Sequence, residues 1–82
     1  MHMHYVYLLV SEDGHKYIGY TANLKARLQS HNAGRVKSTK GRVWKLVYYE
    51  AYESASTARK REKRLKENWR LRAALYKRLN LR

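Results

Sequence analysis

The chain opens on a β-type pattern and then changes period. Tyr5-Val6-Tyr7-Leu8-Leu9-Val10 is an apolar run, Ser11-Glu12-Asp13-Gly14 is polar, and His15-Lys16-Tyr17-Ile18-Gly19 resumes the strand signal around an Asp-Gly turn. Side chains alternate faces along a strand, so the turn length decides which residues meet. A two-residue loop at Asp13-Gly14 pairs Val10 with Tyr17 and puts Tyr7 on the opposite face. A three-residue loop, with Gly14 in the left-handed position, pairs Leu9 with Tyr17 and Tyr7 with Gly19. Tyr7 and Tyr17 then share a face, and this is the register we expect. Taken singly, each tyrosine reads as a β-former packing its ring in the core. Gly19 opposite Tyr7 leaves a space suited to close approach by another group.

Helical spacing follows. Thr21 is the expected N-cap, and Leu24, Leu28 and His31 form an inward stripe with Arg27 at its edge, stacked one turn before His31. Asn32-Ala33-Gly34 carries a left-handed helix stop. Arg35 to Arg42 reads as a loop with Ser38, Thr39 and four cations. Val43 to Tyr52 reads as a third strand, with Val43, Val47, Tyr49 and Ala51 on one face and Trp44, Leu46, Tyr48 and Tyr52 on the other. Ser54 or Ser56 caps a long helix whose stripe is Ala58, Glu62, Leu65 and Trp69. The phase then shifts to Leu71, Ala74, Leu75 and Leu79, so a bend is expected near Asn68, which can cap a separate last helix. Asn80 closes that helix or reaches the site. The order β-β-α-β-α-α defines an α+β fold.

Glu62 is the informative residue of the long helix. Six cations surround it in sequence, from Arg59 to Lys66, yet the carboxylate lies within the apolar stripe. An inward carboxylate needs a cation, a donor or a metal, and a pair with Arg27 is the plain alternative to a functional role.

Composition narrows the reading. Eighty-two residues make one domain, 1–82, and the absence of Cys excludes disulfides and thiolate zinc sites. The longest apolar run is far below the ~20 residues of a membrane span, and no signal-peptide pattern opens the chain, so a cytoplasmic, nucleoid-associated monomer without membrane contact is expected. Nineteen Lys and Arg against six Asp and Glu give a formal charge of +13, which implies an anionic partner, nucleic acid foremost. Arg35, Lys37, Thr39 and Lys40 in the loop, and Arg59, Arg61 and Lys63 on the helix, read as phosphate contacts rather than base readers, so sequence specificity should be low. Tyr20, Tyr48, Tyr52 and Trp69 are candidates for stacking unpaired bases, which favours single-stranded or structured DNA. Charge alone is equally served by a non-catalytic basic binding module.

Taken together, Tyr5-Val6-Tyr7, Tyr17-Ile18-Gly19, Asn23 to Leu28 followed by His31-Asn32, and Arg61-Glu62-Lys63 resemble the GIY-YIG nuclease family, in order and over nearly the whole chain. Tyr17 to Thr21 and Trp44 to Glu50 are similar to its small stand-alone branch. The first motif has Tyr5 for Gly and Val6 for Ile, while its third residue, Tyr7, is retained. The resemblance implies a three-stranded antiparallel sheet flanked by helices, and a metal-dependent endonuclease site on one sheet face. It implies Glu62 as the protein ligand of Mg²⁺ or Mn²⁺, and Tyr7 or Tyr17 as the group that orients or deprotonates water. It also implies Arg27 as the phosphate clamp, His31 as a phosphate contact or proton relay, and Gly19 and Asn80 as further site positions.

Overall fold

The protein, seen as a computed structural model, is described for residues 2–81. Strands β1 (His4–Ser11) and β2 (Lys16–Thr21) form the hairpin, helix α1 (Leu24–Asn32) follows, and a 3₁₀ turn (Lys37–Thr39) leads into β3 (Trp44–Tyr52). Helices α2 (Ala55–Glu67) and α3 (Trp69–Arg78) complete the chain. The sheet is antiparallel in the order β2-β1-β3, so the apolar β1 is central. The order and sheet are those expected.

The hairpin adopts the three-residue turn. Gly14 donates to Ser11 O at 3.0 Å with a φ of 86°, Ser11 N donates to His15 O at 2.9 Å, and Leu9 faces Tyr17 while Tyr7 faces Gly19. Ser11 Oγ donates to Asp13, and Arg42 Nε donates to the same carboxylate at 3.2 Å, tying the basic loop to the turn.

Two cores lie on opposite sides of the sheet. Val6, Leu8 and Ile18 pack with Ala58, Leu65 and Leu75 of α2 and α3, while Tyr7, Leu9 and Trp44 pack with Leu24 and Leu28 of α1. The third strand departs from simple alternation. Leu8 pairs with Tyr48 but Leu9 pairs with Leu46, so Val47 is an extra residue. This bulge turns Trp44 and Leu46 toward α1 and leaves Tyr48 and Tyr52 toward α2 and α3, which corrects the expectation of a single face for all four. Val47 likewise joins the α2 and α3 core, apart from Tyr49.

The helix ends follow from local chemistry. Thr21 remains in β2, and its Oγ1 accepts from Asn23 N at 3.0 Å; Asn23, not Thr21, caps α1 by accepting from Ala26 N at 3.1 Å. Ser54 caps α2, and Asn68 caps α3 by accepting from Arg70 N and Leu71 N, as the phase shift predicts. Because the helix breaks there, Trp69 leaves the α2 stripe and is 65 % exposed. Ala74 is also exposed, so the α3 stripe reduces to Leu71, Leu75 and Leu79. Asn80 takes the left-handed position, with φ 57°, as Asn80 N donates to Lys77 O and Leu81 N to Tyr76 O.

Candidate active site

The register places Tyr7 and Tyr17 on the α1 side of the sheet with ring centroids 6.2 Å apart. Gly19 is what permits this. A Cβ there would lie 2.5 Å from Tyr7 Cζ and 2.9 Å from Tyr17 Cε2, so the space beside Gly19 is filled by the two tyrosines, which corrects the expectation that another group approaches there.

Helix α1 brings His31 onto them. Its ring is buried, 4.9 Å from the Tyr17 centroid, and its Nε2 lies 2.8 Å from the Tyr7 hydroxyl. Nδ1 lies 2.7 Å from Thr39 Oγ1, and that hydroxyl donates to Val36 O at 3.3 Å. When Thr39 gives its proton to Val36 O, it accepts from His31 Nδ1–H. In that tautomer His31 Nε2 is the acceptor and Tyr7 donates to it. Burial, followed by the nearby Arg27 charge, holds His31 below its ordinary pKa, so the ring is neutral near pH 7. Burial likewise pushes Tyr7 up to about 12, against the opposing pull of Arg27.

Thr39 is thus corrected from a phosphate contact to a buried support. The loop that carries it is folded down, with Trp44 Nε1 donating to Thr39 O at 2.9 Å. Arg35, Lys37 and Lys40 remain exposed on that loop.

Arg27 reaches the same place from the helix edge. Interaction with the Tyr7 hydroxyl raises its already high pKa, yet its buried Nε has no hydrogen-bond partner among the described residues. Glu62 approaches from α2, and its negative charge contributes to the upward shift of Tyr7. The Glu62 side chain is 21 % exposed, and Oε2 pairs with Lys66 at 3.1 Å. Lys66 in turn lies 5.5 Å from the Tyr17 ring centroid. The plain alternative, a Glu62–Arg27 pair, does not occur among the described residues. Tyr7, Tyr17, Arg27, His31 and Glu62 therefore converge, from three elements and a helix beyond them.

Other expected residues lie elsewhere. Tyr20 faces α2, its ring stacked on His4 at 5.9 Å and covered by Arg59 at 4.3 Å, so it has no free face for a base. Arg61 is taken by Glu50 at 2.8 and 2.9 Å, and Tyr48 and Tyr52 donate to the same carboxylate at 2.7 and 2.5 Å. Burial alone would raise Glu50; Arg61 and the two hydroxyls outweigh it and hold it at about 2. This corrects Arg61, Tyr48 and Tyr52 from nucleic-acid contacts to parts of a structural network. The available signal was the spacing of Tyr48, Glu50 and Tyr52 by two along one strand face. Lys63 is exposed on α2, and Asn80 takes the left-handed position that ends α3, with no hydrogen bond to the cluster among the described residues.

The family model of the GIY-YIG catalytic domain matches residues 3–78, and the chain belongs to this family. It is 46 % identical over 68 residues to a UPF0213 protein of Staphylococcus haemolyticus, a match covering 80 % of this chain and 83 % of the relative. The solution NMR structure of a UPF0213 protein from Bacillus halodurans superposes with a TM-score of 0.59 at 35 % identity, covering 92 % of this chain and 83 % of that one. A second NMR structure, of a protein from E. faecalis, gives a TM-score of 0.56 at 33 % identity over 83 % of this chain and 78 % of that one.

Proposed function

We propose that this protein is a divalent-metal-dependent endonuclease that hydrolyses nucleic-acid phosphodiester bonds, with DNA, single-stranded or structured, as substrate and little sequence specificity. The observation that carries the reading is the state of Arg27. Its guanidinium is held at the Tyr7 and Tyr17 hydroxyls and forms no carboxylate pair among the described residues, which leaves a fixed cation at the tyrosine pair for which a phosphate oxygen is the matching acceptor. A binding module that uses its site only for structure would pair Arg27 with Glu62, whereas Glu62 takes Lys66 instead.

Glu62 fits a hard divalent ion. It offers one carboxylate, and no group of three His, Asp or Glu able to hold a metal exists among the described residues, so the ion would be one that keeps its waters and takes phosphate oxygens as further ligands, as Mg²⁺ or Mn²⁺ does. When bound, such an ion supplies Lewis acidity toward a phosphate oxygen.

The chain's own groups do the rest. Arg27 holds the scissile phosphate and offsets the negative charge that develops on it. Tyr7 at about 12 is a poor base alone, but it donates to a neutral His31, so it accepts the proton of an attacking water as its own passes to Nε2. Thr39 keeps Nε2 free for that transfer by fixing the tautomer. Tyr17, alongside Tyr7 and under Lys66, orients the water. The exposed Arg35, Lys37, Lys40, Arg59 and Lys63 attract and hold the flanking phosphates.

The test is one cleavage panel of single-stranded DNA, duplex, flap and RNA, with Mg²⁺, Mn²⁺ or chelator. Metal-dependent cutting of the single-stranded or flap DNA supports the reading, and intact substrates throughout would end it.

A further inference from the structure

The α1-facing side of the sheet is only half covered. Its residues form rows across β2, β1 and β3: Tyr17, Leu9 and Leu46; Gly19, Tyr7 and Tyr49; Thr21, Tyr5 and Ala51. Helix α1 covers the first row and ends on Tyr7 through His31. Beyond Tyr7 the sheet is open. Tyr49, the direct cross-strand partner of Tyr7, is 53 % exposed, Ala51 is exposed, and Tyr5 packs on Tyr49 edge-to-face with centroids 5.7 Å apart. Neither hydroxyl has a hydrogen-bond partner among the described residues, and both rings lie outside the two cores.

An aromatic pair left on open sheet demands a reason, since burying it would have contributed to stability. The partner is constrained by the neighbours. Tyr49 lies beside Tyr7 in its row and Tyr5 lies in the next, two residues or roughly 7 Å along β1, so the pair borders the tyrosine that the proposed hydrolysis uses. The chain's charge of +13 selects a polyanion over an apolar or cationic partner. A base in a duplex is already stacked on both faces and cannot use an isolated ring pair, whereas an unpaired base can.

We infer that Tyr5 and Tyr49 form a stacking platform for an unpaired base of the substrate strand, next to the phosphate engaged by Arg27, and that this platform selects single-stranded nucleic acid. The inference rests on the proposed action on nucleic acid and names the residues that choose its form. It also reassigns the stacking role from Tyr20, Tyr48 and Tyr52, whose rings are engaged elsewhere.

The test is binding without divalent metal, so that no cleavage intervenes, read by fluorescence anisotropy on two labelled strands of equal length. One is a mixed-sequence oligodeoxynucleotide and the other is abasic throughout. Tyr49→Ala should weaken the base-bearing strand by about tenfold and leave the abasic strand unchanged, with Tyr49→Trp restoring wild-type binding. Tyr5→Ala should act in the same direction, and unchanged melting of Tyr49→Ala verifies the fold. Equal binding of the base-bearing strand by wild type and Tyr49→Ala, or equal loss on both strands, overturns the inference. So does a Tyr49-dependent dimer in sedimentation with oligonucleotide binding unaltered. If the platform fails in binding while both proteins cut DNA, hydrolysis stands without it; if base-dependent binding responds as expected while neither cuts, the platform stands and hydrolysis falls.

Discussion

The Tyr7 hydroxyl and His31 Nε2 share a hydrogen bond of 2.8 Å, between a strand and a helix separated by 24 positions in sequence. The proposed relay uses the His31 tautomer in which Nδ1–H donates to Thr39 and Nε2 accepts from Tyr7. Thr39→Val should therefore free the His31 tautomer and lower the single-turnover cleavage rate by about tenfold or more, as loss of oriented acid–base chemistry does. Thr39→Ser should restore most of it. The buried Nδ1–H left unpaired by valine should also cost about 1 to 3 kcal/mol in stability. A Thr39→Val protein that cuts at the wild-type rate contradicts the relay.

Protonation of His31 removes the acceptor. Its pKa lies below the ordinary 6.5, so cleavage should be insensitive to His31 near neutral pH and should fall as the pH drops through that lowered native value. Stability moves the same way. Between the lowered native value and 6.5 the unfolded chain binds the proton more readily, so stability declines as pH falls through that window. Glu50, held at about 2 against an ordinary 4.5, adds a loss only in stronger acid, below 4.5. A pH series of melting curves beside a pH–rate profile checks both; a His31→Gln variant that keeps the wild-type rate profile contradicts the assignment.

Gly19→Ala places a methyl group against the Tyr7 ring, 2.5 Å from Cζ. Tyr7 is 2 % exposed and anchored by His31, so the ring must move or the strand must. The expected outcome is a destabilisation of about 1 to 3 kcal/mol together with a cleavage rate reduced beyond what unfolding explains. Single-turnover rates measured well below the melting temperature separate the two effects.

Much of this arrangement was legible in the chain. The face shared by Tyr7 and Tyr17 follows from parity once Gly14 sets a three-residue turn, and the break at Asn68 follows from a phase shift that one helix cannot accommodate. What escaped is long-range. Thr39 sits among exposed cations, and only His31 and Trp44, brought from other elements, bury it. Nothing local marks Val47 as a bulge, because the strand alternation continues through it without glycine or proline. Trp69 has the spacing of the α2 stripe, but that helix ends at Glu67. The open aromatic pair was hidden because exposure depends on where α1 stops covering the sheet, which no residue of β1 or β3 encodes.

The proposed hydrolysis assigns Glu62 to the metal and Arg27 to the phosphate, and the two side chains form no pair among the described residues. The most direct measurement is Mg²⁺-dependent cleavage of a labelled single-stranded oligodeoxynucleotide by wild type and Glu62→Gln, with binding of the same strand measured in chelator. The expected result is wild-type binding and a loss of cleavage by about a hundredfold or more in the variant. Cleavage by Glu62→Gln at the wild-type rate, or the absence of any metal-dependent cleavage by the wild type, would contradict it.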